Sequence, residues 1–432
     1  MQSRLSITLA VATALLIAAC STPATTPAPT PGAATPAATA AATAAATAEA
    51  TAEATAEATT EATAEATAEA TAEATAEATP EGTAAASDWV VGVVTDVGTV
   101  DDKNFNEYSY NGAVAGAADI GAPEVDVAVP EDASQYASLI QNFIDTGHNI
   151  IVTVGFNLNS AYDTQNAAIE NPEITFIGVD QTACLDETGA TDTTFTCAGD
   201  PSELLPNFIG LQYQEDQAGY LAGIVAASIS ENGTVGAIGG INLVPAVVRY
   251  LQGYELGAKS VNPDINVVTD YVSTSDFTVA FNDPGAGKDF ADQFIDTNSP
   301  DVLFQVAGKT GNGVLEAACA ADIHGIGVDV DQWLSLSADT DPTYDCIVTS
   351  AEKHLATSVQ DTINQVADGT VAPDHGVLLF NAANDGIGLS PENSGEGLIT
   401  SDIQALIDAA ITGMQDGSLV TCPETCGTAT AP

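Results

Sequence analysis

From Trp89 to Asp368 the chain keeps one rhythm, in which short runs rich in β-branched residues alternate with longer amphipathic stretches. That rhythm constrains the fold more than any other feature. Ten runs read as strands: Trp89–Thr95, Val125–Val129, Ile150–Val154, Thr175–Val179, Phe208–Leu211, Thr234–Ile238, Asn266–Tyr271, Val302–Gln305, His324–Val328 and Cys346–Ser350. Helices are predicted over Phe105–Ala118, Ser134–Asp145, Leu158–Ile169, Gln214–Ile229, Ala246–Lys259, Gly285–Asp296, Gly311–Ala321 and Leu355–Asp368. Gly, Asn, Asp or Pro separates most of them. Apolar runs joined through helices are what parallel sheets covered on both faces require. The strands are too many for one six-stranded sheet, so the pattern predicts an α/β fold of two doubly wound, Rossmann-like lobes.

In open α/β sheets, ligands bind beyond the carboxyl ends of the strands. The segments just after these runs are loaded with polar residues. Asp96, Asp101, Asp102, Lys103 and Asn104 follow the first, with Phe105 behind them, and Asp180 follows the fourth. Gly308-Lys309-Thr310-Gly311, Asp329 and Lys353 follow the eighth, ninth and tenth. Two lobes with polar strand tips make a cleft that can close on a small molecule. Each residue also has a plainer reading. Asn104 and Asp180 could cap the turns behind them, and Phe105 could be a core residue of its helix. Gly308 and Gly311 let backbone approach a ligand and open a helix whose N–H groups would also suit a phosphate. Their spacing is not that of a P-loop. The histidines at 148, 324, 354 and 375 are scattered, and neither HExxH nor a nucleophile elbow occurs. No catalytic residue, cofactor or metal site is therefore expected.

Charge narrows the partners. Among 432 residues there are 59 acidic and 7 basic, a formal net charge of −52. Nucleic acid and anionic lipid headgroups both require clustered Lys and Arg, so both are excluded as partners. Beyond Arg4 the cations are Lys103, Arg249, Lys259, Lys288, Lys309 and Lys353. A lysine at a strand tip in so acidic a chain is expected to have a defined partner.

The N-terminus supplies an address. Arg4 precedes an apolar run that stops at Ile17-Ala18-Ala19-Cys20, the pattern of a bacterial lipoprotein signal. Residues 1–19 are expected to be a signal peptide. Cys20 is expected to carry lipid and tether the chain at the extracytoplasmic face of the cell membrane. Residues 20–86 reduce to Ala, Thr, Glu and Pro, with a Thr-Ala-Glu-Ala repeat from Thr47 to Ala78. Like charges every fourth residue, with nothing apolar to bury, predict a solvated stalk. Residues 87–421 are expected to form the folded domain and 422–432 a tail. Six further cysteines in an exported chain imply disulfides, with Cys184–Cys197, Cys319–Cys346 and Cys422–Cys426 the expected pairs among 15 possible pairings.

Nine segments occur together, namely VTDVGTVDDKNFNE, TVGF, ENPEITFIGVD, EDQAGYLAGIVAA, VGAIGGINLVPAVVRYLQGYELGAK, AGKTGNGVLEAA, GVDVDQW, TSAEK and NDGIGLS. In these, residues from about 89 to 390 resemble the basic membrane protein family of ABC-transporter substrate-binding lipoproteins, the purine nucleoside receptor A-like group. The resemblance implies a type I periplasmic-binding-protein clamp whose lobes are joined by crossover strands. Lobe 1 is expected at about 87–211 plus 351–380, and lobe 2 at about 212–350 plus 381–421. It also implies capture of a purine nucleoside and its delivery to an ABC permease and ATPase. The ligand set it implies is Asp96, Asn104, Phe105, Asp180, Tyr250, Gly308, Gly311, Asp329 and Lys353. In it Phe105 stacks on the base and Asp329 accepts from the ribose hydroxyls. Tyr250 stands where the family has phenylalanine, and Thr182–Pro206 looks like an insertion. A strongly acidic chain favours a neutral nucleoside over a nucleotide. The competing readings are a clamp for a sugar or other small polar metabolite, and a nucleoside hydrolase built on Asp96, Asp101 and Asp102. A repressor is excluded, because an exported chain cannot reach DNA.

Overall fold

The computed structural model describes residues 88–393 and 397–422. The expected signal peptide, Cys20 and the whole of the expected stalk lie outside them. In chain order the first elements are β1 (Val91–Thr95), α1 (Phe105–Asp119), β2 (Asp126–Ala128), α2 (Tyr136–Asp145), β3 (Ile150–Val154), α3 (Asn157–Ser160), α4 (Asp163–Glu170), β4 (Thr175–Val179), α5 (Pro201–Leu204) and β5 (Phe208–Tyr213). Helix α6 (Glu215–Ile229) then leads to β6 (Thr234–Ile241), α7 (Pro245–Val261), β7 (Asn266–Ser273), α8 (Phe277–Phe281), α9 (Pro284–Asn298), β8 (Val302–Val306), α10 (Thr310–Ala320), β9 (His324–Asp329), α11 (Gln332–Ser335) and β10 (Ile347–Lys353). The chain closes with α12 (Leu355–Asp368), β11 (Val377–Phe380), β12 (Ile387–Leu389) and α13 (Ser401–Gln415).

Two six-stranded sheets result, ordered β11-β5-β4-β3-β1-β2 and β12-β10-β9-β8-β6-β7. Every pairing is parallel except β10 with β12. Central strands such as β1, β3 and β8 are buried along their whole length, which is why they read as unbroken apolar runs rather than alternating ones. The chain passes between the sheets three times: through α6, through α12 to β11, and from β11 to β12.

All ten expected strands are present, and the structure adds to them. Strands β11 and β12 are only 4 and 3 residues long and occupy sheet edges, so periodicity could not reveal them. Strand β10 carries the second sheet on to Lys353, past the lobe boundary expected at residue 350. The helix expected over Leu158–Ile169 is broken in two at Tyr162, whose φ of 64° cannot continue a right-handed helix. Helix α13 was not among the expected helices, although Ile407, Ala410 and Met414 are spaced to bury one face.

The disulfides Cys184–Cys197 and Cys319–Cys346 form as expected. The pair Cys422–Cys426 ends outside the described residues. Among the described residues no helix is long and apolar enough to cross a membrane.

Helices α6 and α7 lie against each other at backbone distance. A Cβ on Gly219 would stand 2.2 Å from the Tyr250 carbonyl oxygen, and one on Gly253 2.0 Å from that of Asp216. Gly223 and Gly257 make the same approach one turn on, to Tyr254 and Tyr220. Only glycine permits this contact. It sets Glu215, at the start of α6, beside Arg249 and Tyr250 of α7.

Candidate functional site

The carboxyl ends of the two sheets face each other. In the first sheet Asp96 follows β1, Gly155 follows β3 and Asp180 follows β4. In the second, Gly308 lies just beyond β8, while Asp329 and Lys353 end β9 and β10. Gly155, Asp180, Gly308 and Asp329 have φ of 110°, 59°, 51° and 65°. Such left-handed turns at a strand end fold the chain sharply, and Asp tolerates them better than most residues. Gly155 is also required by space, since a Cβ there would fall 2.2 Å from Cγ of Asp96.

Between these edges is a cavity with about 650 Å³ of open space. Asp96, Phe105, Asn106 and Asp180 line it from the first lobe; Tyr250, Phe281, Gly308, Asp329 and Lys353 line it from the second. Ring faces and strand-tip polar groups thus share one space, as in sites that bind a flat, hydroxylated molecule.

Lys353 is the hub. Its Nζ lies 2.7 Å from Asp180 Oδ2, 3.1 Å from Glu215 Oε1 and 4.0 Å from Asp329 Oδ1. The rings of Phe105, Tyr213 and Tyr250 stand 5.3, 5.1 and 5.9 Å from it, within cation–π range. Arg249 Nε donates to Glu215 Oε2 at 2.6 Å, so Glu215 is held by two cations. Tyr250 OH has two acceptors for its single proton, Asp329 Oδ1 at 3.3 Å and the Ala351 carbonyl at 3.2 Å. Asp180 Oδ1 has no partner among the described residues, which leaves an acceptor free.

Burial dominates the electrostatics. It works against the charge on Lys353, but Asp180, Glu215 and Asp329 hold its pKa above the ordinary value. Burial likewise disfavours ionised Glu215, yet Arg249 and Lys353 keep it below the usual range. Asp329 is pushed up to about 7 by desolvation, with Asp180 and Glu215 adding repulsion that Lys353 only partly offsets. Asp96 also rises to about 7 through desolvation, although the N–H groups of Asn157 and Val97 donate to it. Two acceptors of the cavity therefore hover between protonated and ionised, where a ligand's donors can tip them.

The expected site residues divide. Asp96, Phe105, Asp180, Tyr250, Gly308, Asp329 and Lys353 converge on the cavity. Asn104 and Gly311 do not line it. Asn104 stands at the N-cap of α1 without capping it, fully buried with its side-chain amide unpartnered among the described residues. The cap is Asp102, whose carboxylate accepts from the N–H groups of Asn104, Asn106 and Glu107. Gly311 packs instead against the Gln305 side chain, where a Cβ would overlap Oε1 at 1.6 Å. Its N–H is not free for a ligand, because it donates to Ala307 and Gly308 carbonyls. Lys353, expected to have a defined partner, has Asp180 and Glu215 nearest, with Asp329 farther off. Sequence reasoning missed Glu215, Tyr213 and Phe281. Glu215 had a signal: a carboxylate opening an otherwise apolar helix.

The lobes also touch directly across the cleft. Ser335 Oγ donates to the Lys103 carbonyl at 2.8 Å, and Asn312 Nδ2 to that of Asp102 at 3.3 Å.

A family model described as ABC transporter substrate-binding protein PnrA-like (Bmp) matches residues 89–410. The chain belongs to this family. It is similar to the ABC transporter nucleoside-binding protein BmpA of Lactococcus lactis, with 27% identity over 77% of this chain and 89% of that one. Its fold is similar to that of solved solute-binding proteins of ABC transporter systems. One from Aeropyrum pernix has a TM-score of 0.61 at 24% identity, covering 78% of this chain and 94% of that one. Another from Conexibacter woesei has a TM-score of 0.55 at 25% identity, covering 77% and 98%. The protein is thus an ABC-transporter substrate-binding protein with the two-lobed clamp of periplasmic solute-binding proteins.

Proposed function

We propose that this protein captures a purine nucleoside outside the cytoplasm and presents it to an ABC permease. The observation that carries this reading is the pairing, in one cavity, of the Phe105 ring from one lobe with Asp329 and Lys353 from the other. The base stacks on Phe105, and the ribose diol donates to the Asp329 carboxylate, whose two oxygens match adjacent hydroxyls. The name of the L. lactis relative agrees with this ligand class. Closure buries the ligand, and the closed shape is what the permease recognises. Cys20 carries the lipid that keeps the protein at the membrane, and residues 20–86 act as its tether.

Calorimetry with nucleosides, free purine bases and pentoses tests the ligand. A nucleoside should bind tightest, a free base more weakly because it lacks the diol, and inosine should be recovered intact, without hypoxanthine. Tight pentose binding with no nucleoside binding would refute the reading, and release of hypoxanthine would make the protein a hydrolase. Radiolabelled palmitate incorporated by the full chain and lost in Cys20→Ala checks the anchor.

A further inference from the structure

A second cavity adjoins the first and has no role in the reading above. It holds about 1100 Å³ of open space and shares Phe156, Asp180, Val244 and Ala246 with the inner site. Its far wall is the loop closed by Cys184–Cys197, and its near wall on the second lobe includes Pro245 and Arg249 at the start of α7. The two spaces therefore form one path through the cleft.

The loop is a built wall. Gln165 accepts from Cys184 N–H and donates to the Cys184 carbonyl, while Asn159 donates to the Thr182 carbonyl. Asp192 gathers the N–H groups of Thr196 and Cys197, and Tyr162 OH donates to the Asp192 carbonyl. This bracing holds Phe195 at φ 57° with 73% of its surface exposed, its ring 6.0 Å from that of Tyr162. A large exposed aromatic in a strained backbone, fixed by a disulfide at the rim of a cavity, is a costly arrangement for an ordinary surface loop.

We infer that this outer chamber is a subsite for an uncharged, apolar or aromatic substituent on the bound nucleoside, carried at the 5′ carbon of its ribose. The inference rests on the nucleoside reading, which sets the ligand's direction. The chambers meet along Phe156, Asp180, Val244 and Ala246, of which Asp180 is the polar one and is paired with Lys353, so the ribose end faces the opening while the base lies on Phe105. The diol is taken by Asp329, which leaves the 5′ carbon to point outward. Phe156, Tyr162, Phe195 and Pro245 supply the apolar faces. A phosphate does not suit the chamber: the Arg249 guanidinium is already paired with Glu215, and Asp180 adds negative charge.

Calorimetry on the full chain tests this with three probes. These are whichever of adenosine, inosine and guanosine binds tightest, its 5′-benzylthio derivative, and its 5′-monophosphate. The derivative should bind at least as tightly as its parent, and the monophosphate more weakly than both. Phe195→Ser should weaken the derivative roughly fivefold, about the worth of one aromatic contact, and leave the parent unchanged. Phe195→Trp should restore it. Phe195 is exposed, so neither variant threatens folding. If the parent binds but the derivative does not, or Phe195→Ser leaves the derivative's affinity intact, the subsite is refuted while the nucleoside reading stands. A monophosphate that binds tighter than the derivative would overturn the uncharged class. Failure of every parent nucleoside would instead defeat the underlying reading and this inference with it.

Discussion

Asp329 stands between its protonated and ionised forms near neutrality, and only the ionised form accepts from two hydroxyls. Its carboxyl, raised to about 7, is largely protonated below that value, and a protonated acid is a poor acceptor for two hydroxyls. Nucleoside affinity should therefore rise from about pH 6 to about pH 8 and level off, with protons released on binding below neutrality. Calorimetry in buffers of different ionisation enthalpy reads that release directly. For stability the sign is opposite. A carboxyl whose folded pKa exceeds its unfolded one stabilises the fold most at low pH and loses that contribution as pH rises through about 7. The empty protein should accordingly melt lower at about pH 8 than at about pH 5.5, with Asp96 contributing in the same sense. Asp329→Asn should flatten the binding profile and cost about 1.5–3 kcal/mol at high pH, or one to two decades in affinity. An unchanged affinity would refute this geometry. The place of Asp329 on the cavity was readable in the sequence because the carboxyl ends of strands in an open α/β sheet face the binding crevice. For Asn104 it is the rival capping reading that fails, because the cap comes from Asp102, two residues earlier, and no spacing rule distinguishes the two.

The contact between α6 and α7 fixes where the charges sit. Gly253→Ala gains helix propensity of about 0.5–1 kcal/mol. It also drives a methyl group into the Asp216 carbonyl, 2.0 Å from an ideal Cβ, and neither helix backbone can yield cheaply. Overpacking of this kind costs about 1–3 kcal/mol, so the clash wins. Urea unfolding should show the loss, and nucleoside affinity should fall with it as Arg249 and Tyr250 shift away from Glu215 and Asp329. A variant as stable as the wild type would mean the helices can separate freely. The central strands of these lobes were readable because burial on both faces leaves an unbroken apolar run. The short edge strands β11 and β12 were not, since a few residues at an edge carry no period. Nor was the break at Tyr162, whose hydroxyl and ring meet the disulfide loop some 30 residues on.

The lobes close on each other through few direct bonds. Ser335 to the Lys103 carbonyl is one that joins the lobes across the cleft, and drawing the lobes apart would break it. Removing it with Ser335→Ala should leave the melting temperature of the empty protein nearly unchanged. It should lower affinity by about 0.5–1.5 kcal/mol, a factor of roughly 2 to 10, because ligand binding must then close the clamp with less help. Unchanged affinity, or a large loss of stability in the empty protein, would show that this bond does not report closure. Lys353 occupies the last position of β10, immediately before the chain leaves the second lobe for α12. Lineages of this fold inherit a constraint from that placement. Lys353 faces carboxylates from three separate segments and shares one of them with Arg249, so no one of these residues can drift alone. Exchanging Lys353 first leaves Asp180 without its ion-pair partner and Glu215 with Arg249 alone, while losing Asp180 first removes the carboxylate nearest the lysine. Neutral paths through sequence space must change both signs together, and relatives that recognise other ligands are expected to differ here in pairs.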